Sequence, residues 1–190
     1  MTRPLSTLLV TLSLSLPSAL TAQVPACWVR GDALAAASRQ SPLDSAVVGV
    51  AGGVAKLCYG SPAARGRTVM GALVPFDEPW RAGANEATAI HVTVPVEVAG
   101  VRLEPGSYSV YMIPGAERWT VVLNRQIERW GIPISQDVRA ADVGQGTVTI
   151  ETLDDPVESL TYRFETDGAS GGHLVMEWER TRLRIPFKGA

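Results

Sequence analysis

The chain has 190 residues, a formal net charge of −2 and two cysteines, Cys27 and Cys58. This length is sufficient for one domain with a proper hydrophobic core. The charge is nearly balanced and no basic cluster stands out, so nucleic-acid binding is not expected. The sequence contains no recognisable internal repeat, low-complexity tract or second domain.

The N-terminus has the pattern of a secretory signal peptide. Arg3 gives a positive start, the apolar stretch LSTLLVTLSLSLPSAL follows without a charge, and small residues precede a cut after Ala22. No segment, here or later, has the roughly 20 apolar residues and the flanks that a membrane helix needs. We therefore predict a signal peptide over residues 1–22 and an exported chain, periplasmic or secreted, without a transmembrane segment.

The two cysteines leave two interpretations open. An even pair in an oxidising compartment predicts a disulfide between Cys27 and Cys58. Closing a loop of roughly 30 residues would stabilise the fold by about 3 to 4 kcal/mol. In the alternative, VPAC at residues 24–27 is a lipoprotein box and Cys27 carries a lipid. Pro25 fits such a box poorly, so the disulfide is the preferred prediction.

A short helix is predicted from Asp32 to Ser38, with Asp32 as its N-cap. The next pattern is a hairpin, SAVVGV to VAKLCYG, with its turn at Gly52–Gly53. A strict alternation then begins at Thr88, with the side chains on one face predicted to be buried: Ile90, Val92, Val94, Val96 and Val98. His91 and Glu97 on the other face are predicted to be exposed, and Pro95 indicates an edge or a bulge.

Further rows of alternate residues that are predicted to face the core follow along the chain. Residues 132–145 interrupt them and are predicted to be irregular. In the last strand, the residues predicted to be buried change from even-numbered to odd-numbered positions between Trp178 and Leu183. This change of parity predicts a bulge near Glu179 or Arg180. The predicted inward rows are Tyr108, Val110 and Met112; Trp119, Val121 and Leu123; Val148 and Ile150; Leu160, Tyr162 and Phe164; Leu174, Met176 and Trp178; and Leu183, Ile185 and Phe187.

About eight to ten short strands separated by turns every 8 to 12 residues are typical of an all-β fold. We predict a single antiparallel β-sandwich, immunoglobulin-like or jelly-roll-like, over residues 45–190. An N-terminal segment, residues 23–44, carries the short helix.

Several motifs together resemble one bacterial family. They are ARGR, LVP and WRAGANEAT in residues 64–88, PGSYSVYMIPG in residues 105–115, and a tryptophan followed by LN in residues 119–124. With the similar ending ESLTYRFETDGASGGHLVMEWERTRLRIPF, the chain resembles the domain-of-unknown-function family catalogued as 2911 over residues 45–187. The resemblance implies an exported or membrane-associated β domain without an established activity or cofactor.

The segment PWRAGANEATAI, residues 79–90, has the highest density of chemically useful side chains. Arg81 offers a planar fork of donors suited to a carboxylate or phosphate, Asn85 is both donor and acceptor, and Trp80 can stack. We predict a ligand site at a loop end of the sandwich, formed by these residues together with Tyr59, Arg67 and Glu86. The competing interpretation is structural: Arg81 pairs with Glu86, Asn85 adopts a left-handed turn, and Trp80 plugs the core.

The sequence predicts no catalytic residue, metal site or cofactor. A nucleophile elbow, a zinc-binding HExxH motif and a phosphate-binding glycine loop are all missing from it, and only two histidines occur. We therefore expect a non-catalytic domain that binds a small molecule, a glycan or a protein. The alternative is an extracytoplasmic hydrolase that uses Glu86 in an arginine-supported site.

Overall fold

The computed structural model describes residues 25–168 and 171–190, so the predicted signal peptide lies outside the described residues. This part of the chain forms nine strands and two short helices. In chain order they are α1 (Ala33–Ala37), β1 (Leu43–Val50), β2 (Gly53–Gly60), β3 (Thr88–Val92), β4 (Val96–Val98), β5 (Val101–Leu103), β6 (Gly106–Ile113), β7 (Arg118–Asn124), α2 (Gln136–Arg139), β8 (Asp142–Thr166) and β9 (Gly171–Gly189).

The strands hydrogen-bond in the order β1-β2-β3-β6-β7-β8-β9-β4-β5, and the pairings are antiparallel. The all-β prediction is therefore confirmed. The prediction of uniformly short strands is wrong, because β8 has 25 residues and β9 has 19. Their length has a structural reason: β8 pairs first with β7 and then with β9, and β9 continues onto β4.

The first hairpin is confirmed, with its turn one residue earlier than predicted. Val50 pairs with Gly53, so Ala51 and Gly52 form the two-residue connection. Their φ angles are 48° and 78°, both in the left-handed region that the favoured two-residue hairpin turns require. Gly52 tolerates this conformation without the steric cost that a side chain brings.

The predicted inward rows form the hydrophobic core. Trp119 and Trp178 are each 1 % exposed and lie in one cluster with residues from all nine strands. The predicted change of parity in β9 is also present. Glu179 has a φ of 52°, and the register between β8 and β9 shifts on both sides of it. Leu183, Ile185 and Phe187 are consequently turned inward like Trp178.

The alternation that starts at Thr88 does not form one strand. It divides at residues 93–95 into β3, which pairs with β2 and β6, and β4, which pairs with β5 and β9. Pro95 lies at this break, where its missing N–H costs no ladder hydrogen bond. The inward face is as predicted: Ile90, Val92, Val96 and Val98 are buried, and Val94 is partly buried against the core.

The prediction that His91 is exposed is wrong. His91 is 3 % exposed, because two non-strand segments cover the outer face of β3 and β6. One is the N-terminal strap, residues 25–42; the other is the connection of residues 125–141. Trp28 of the strap and Ile127 of the connection line the same small cavity as His91. Glu97, in contrast, keeps a side chain that is 34 % exposed and pairs with Lys188 at 3.3 Å.

The strap is fixed to the sheet at its beginning by a disulfide. Cys27 and Cys58 are bonded, with their Cα atoms 5.6 Å apart, which confirms the predicted pairing. The segment of residues 132–145 is more regular than predicted, since it contains α2, where the Ser135 side chain accepts from the N–H of Val138, and the start of β8. Among the described residues, no helix combines the length and the apolar character that crossing a membrane requires.

Candidate functional site

A cleft of about 380 Å³ opens beside the segment PWRAGANEA, residues 79–87, called here the 79–87 loop. Its volume lies at the lower end of the range for small-molecule sites. Five parts of the chain form its walls: the end of the strap, the loop after β2, the 79–87 loop, the connection of residues 125–141 and β9. The lining residues are Gln40, Ser41, Pro62, Ala63, Arg65, Arg67, Leu73, Val74, Pro75, Pro79, Trp80, Arg81, Gly83, Ala84, Ile132 and Trp178.

Arg81 brings a half-buried positive charge into this cleft. Its Nε donates to the Gly83 carbonyl at 3.2 Å, and within the described structure it forms no ion pair. Gly131 packs directly against its side chain, because a Cβ at that glycine would lie 2.4 Å from the Arg81 Cδ. Burial lowers the pKa of Arg81, since removal from water disfavours the charged form.

Two more arginines reach the cleft from the loop after β2. Arg65 donates from Nη1 and Nη2 to the Gln40 side chain and carbonyl, both at 3.0 Å. Arg67 donates to the carbonyls of Ala64 and Ala63 at 2.9 and 2.8 Å. Of the acidic residues in the described structure, none lines the cleft. The cleft therefore has a positive lining although the whole chain is slightly negative.

Trp80 and Trp178 form the aromatic part of the cleft. Their rings stack with centroids 6.0 Å apart, and Trp119 meets Trp80 edge-on at 5.9 Å. The backbone of Trp80 exchanges two hydrogen bonds with Met112, at 2.7 and 2.8 Å. Trp80 thus packs against the core and also lines the cleft, where it remains partly exposed.

Apolar side chains border the cleft at the surface. Leu73 and Ile132 line it while remaining 43 % and 50 % exposed. Pro62, Pro75 and Pro79 add rigid apolar surface. A ligand seated here would meet guanidinium groups and apolar surface together.

Glu86 has a different role from the two that the sequence suggested. Its partner is Arg39, whose Nη1 lies 2.6 Å from both carboxylate oxygens, so the predicted Arg81–Glu86 pair is wrong. The Arg30 N–H donates to Glu86 Oε1 at 2.8 Å, and the guanidinium of Arg39 lies over the Trp130 ring, 5.6 Å from its centre. Burial alone would raise the pKa of Glu86, but the hydrogen bonds and charge of Arg39 outweigh it and lower that pKa.

Asn85 and Tyr59 also lie outside the cleft lining. Asn85 has a φ of 65°, which confirms the left-handed turn of the structural interpretation, and its Nδ2 donates to the Ser41 carbonyl at 2.9 Å. The Tyr59 hydroxyl donates to Asp44 at 2.9 Å and accepts from the N–H of Tyr162 at 3.1 Å. Burial raises the pKa of this phenol, and the Asp44 carboxylate adds to the rise.

The structure thus brings Arg67, Trp80 and Arg81 together in one cleft and directs Tyr59, Asn85 and Glu86 elsewhere. Sequence reasoning missed Gln40, Ser41 and Ile132. No local pattern pointed to them, because they reach the cleft from segments distant in the chain. No group of three or more His, Cys, Asp or Glu residues positioned to hold a metal ion occurs in residues 25–168 and 171–190.

These features define an all-β protein with an arginine-lined cleft between its loops. The chain belongs to the family described as Protein of unknown function (DUF2911), whose model matches residues 41–187. The resemblance recognised in the sequence is therefore confirmed. No curated protein and no solved structure matched the sequence. The family brings no functional residues with it, so function must be argued from the cleft.

Proposed function

We propose that this protein is an exported, non-catalytic binding domain whose cleft takes a small anionic molecule with an apolar body. The observation that carries the proposal is the half-buried Arg81, which has no anionic partner among the described residues. A desolvated cation without a counter-charge is costly. A carboxylate ligand would supply that counter-charge through two hydrogen bonds to the guanidinium fork.

The apolar part of the proposed ligand follows from the walls of the cleft. The stacked pair of Trp80 and Trp178 offers a flat surface, and Leu73 and Ile132 extend it outward. Such surface gains free energy when a hydrocarbon or ring covers it. A strongly polar sugar would gain less from it, so a small carboxylate with a hydrocarbon body is favoured over a neutral glycan.

We do not propose the hydrolase alternative. A glycosidase needs a pair of carboxylates beside the substrate, and a general acid or base must reach the reacting group. Glu86 is instead held by Arg39 and by the Arg30 backbone, and no described acidic residue lines the cleft. The geometry favours binding over hydrolysis.

Export is proposed from the signal-peptide pattern together with the disulfide, a bond typical of oxidising compartments. The sulfur of Cys27 is shared with Cys58, which leaves it unavailable for a lipid thioether. We therefore propose a periplasmic or secreted protein rather than a lipoprotein.

The proposed architecture is a sheet that folds over itself as a sandwich within residues 45–190. Three strands separate β2 from β8 in the strand order, yet the two are in contact. Ser61, the residue that follows β2, donates from Oγ to the Leu160 carbonyl of β8 at 2.8 Å. The rings of Tyr59 and Tyr162 lie 4.7 Å apart, edge to face. Contacts between strands that lie far apart in the hydrogen-bonding order support closure of the sheet around the core.

The test uses octanoate and its uncharged counterpart octanol with the purified exported protein. Displacement of the fluorescent anion anilinonaphthalene sulfonate measures binding at the cleft. Octanoate should compete and octanol should compete poorly, because only octanoate neutralises the arginines. Arg81→Ala should weaken octanoate binding by about 10- to 100-fold, the loss expected for charge-assisted hydrogen bonds.

Two controls separate binding from stability. Arg81→Ala should lower the free energy of unfolding by less than about 1 kcal/mol, because within the described structure its side chain makes a single hydrogen bond, to Gly83. Arg125→Ala removes an exposed arginine outside the cleft lining and should leave binding unchanged. Equal competition by octanoate and octanol, or unchanged binding by Arg81→Ala, would rule out the proposed function.

A further inference from the structure

The 79–87 loop has two sides, and each contacts a different part of the molecule. On one side, Trp80 and Arg81 line the cleft. On the other side, Asn85 binds the Ser41 carbonyl, and Glu86 binds Arg39 and the backbone of Arg30. The same nine-residue segment therefore shapes the cleft and holds the N-terminal strap.

The strap is itself part of the cleft. Gln40 and Ser41, near its end, line the wall next to the loop after β2. Gln40 also accepts two hydrogen bonds from the Arg65 guanidinium, so the strap fixes one of the three cations of the cleft. A displacement of the strap would move both this wall and the charge on Arg65.

One attachment of the strap to the 79–87 loop centres on Arg39. Arg39 is held between the Glu86 carboxylate and the Trp130 ring. Its Nη2 also donates to the Arg30 carbonyl at 3.0 Å, which links two parts of the strap to each other. The Glu86 side chain is 8 % exposed, so its ion pair is weakly screened by solvent. Loss of this carboxylate would leave Arg39 without its counter-charge.

From this arrangement we infer that Asn85 and Glu86 are positioning residues for the cleft: they dock the strap, and the docked strap places Gln40, Ser41 and Arg65 for ligand binding. This inference rests on the proposed function of the cleft. Because binding linkage is reciprocal, a ligand that prefers the docked strap also stabilises the docking. Neither Asn85 nor Glu86 needs to touch the ligand to affect its affinity.

Two variants separate the docking contacts from the fold of the loop. Glu86→Gln keeps the size of the side chain but removes the charge that holds Arg39. Asn85→Gly removes the amide that holds Ser41 but accepts the left-handed φ of 65° without strain. We expect either variant to weaken binding of anilinonaphthalene sulfonate by about 5- to 20-fold, within the usual range of coupling between sites.

Hydrogen exchange by mass spectrometry provides a second readout that does not depend on ligand. In Glu86→Gln, the amides of residues 30–42 should exchange faster, whereas those of β6 and β7 should be unchanged. The matched control is Glu104→Gln, which breaks an exposed ion pair with Arg102 outside the cleft. It should alter neither strap exchange nor probe affinity.

A double-mutant cycle with Arg39→Gln tests whether Glu86 acts through Arg39. The double variant should weaken probe binding no more than the stronger single variant does, because one pair is removed in each case. Gln40→Ala, at an exposed residue of the strap, should also weaken binding, by about 3- to 10-fold, because Arg65 loses the side-chain bond and keeps only the bond to the backbone carbonyl. This substitution keeps the test valid even where a change at Glu86 prevents folding.

The outcomes distinguish the two proposals. Failure of the wild-type protein to bind the probe would overturn the proposed function and this inference together. Wild-type binding with equal affinity in Glu86→Gln, Asn85→Gly and Gln40→Ala would overturn the inference alone. Unchanged hydrogen exchange of residues 30–42 in Glu86→Gln would also overturn it, whatever the probe affinities.

Discussion

His91 shows how a single buried residue makes stability depend on pH. Its Nδ1 lies 2.7 Å from the Ser107 hydroxyl, and its Nε2 is buried with no hydrogen-bond partner in the described structure. Burial, and to a smaller degree the charge of Lys56, lowers the pKa of His91. An extra proton would therefore place a poorly solvated charge beneath the strap.

The sign of the pH effect follows from this lowered pKa. The unfolded chain takes up the proton near the ordinary histidine pKa of about 6.5, before the folded chain does. Stability from this residue is thus complete above about pH 6.5 and is lost as the pH falls through the folded pKa of His91. We expect urea midpoints to fall on acidification through this window.

Two variants test the assignment to His91. In His91→Gln, the decrease in urea midpoint just below about pH 6.5 should become shallower, because the titrating group is gone. In His173→Gln, which removes a histidine that is partly exposed near the β8–β9 turn, the decrease should persist. A slope that disappears only in His173→Gln would contradict the role given to His91.

At the scale of elements, the strap is a covering layer joined to the sheet by the bond between Cys27 and Cys58. The two cysteines are 31 positions apart in the sequence. Removing the bond through Cys27→Ala with Cys58→Ala should lower the free energy of unfolding by about 3 to 4 kcal/mol, because the unfolded chain regains the freedom of that loop. Urea denaturation with and without reductant measures this change.

Reductant should lower the free energy of unfolding of the wild-type protein and should leave that of the double alanine variant unchanged. Alkylation of the denatured, non-reduced purified protein should label no thiol, because both sulfurs are bonded. A lipid mass on Cys27 together with a labelled Cys58 would show the lipoprotein alternative to be correct.

At the scale of the whole molecule, the contact between β2 and β8 supports the proposed closure of the sheet. Tyr59 is central to it, because its hydroxyl accepts the buried N–H of Tyr162. Tyr59→Phe should lower the free energy of unfolding by about 1 to 3 kcal/mol, the cost of leaving a buried donor unpaired.

Tyr108→Phe serves as the matched control for this closure. The Tyr108 hydroxyl donates at 3.0 Å to the carbonyl of Glu104, four residues earlier, so its loss does not separate distant strands. It should cost about 0.5 to 1.5 kcal/mol, as for an ordinary hydrogen bond. An equal or larger effect of Tyr108→Phe in urea denaturation would argue against a special role for the β2–β8 contact.

Much of the fold could be predicted because the relevant pattern is local. The period of two identified the buried sides of β3, β6, β7 and β9, and Gly52–Gly53 marked the hairpin turn to within one residue. Even the irregularity at Glu179 was visible as a change of parity. A side chain on a strand has only two directions, so its neighbours along the chain largely decide which one is buried.

The composition of the site could be predicted only in part. Arg67, Trp80 and Arg81 line one cleft, because all three lie on the connection between β2 and β3. The choice of ionic partner was missed. Arg81 is five residues from Glu86 and Arg39 is 47 residues away, yet Arg39 forms the pair.

The sequence by itself determined the all-β class, the inward rows and the family, and it favoured the pairing of Cys27 with Cys58. Only the tertiary structure decided that His91 is covered, that Glu86 holds the strap, and that Gln40 and Ser41 complete the cleft. The physical reason is the distance along the chain between the residues that determine each feature. Alternation and turn geometry are fixed by adjacent residues, whereas burial of an outer face and pairing of a charge depend on which distant segments the folded chain brings into contact.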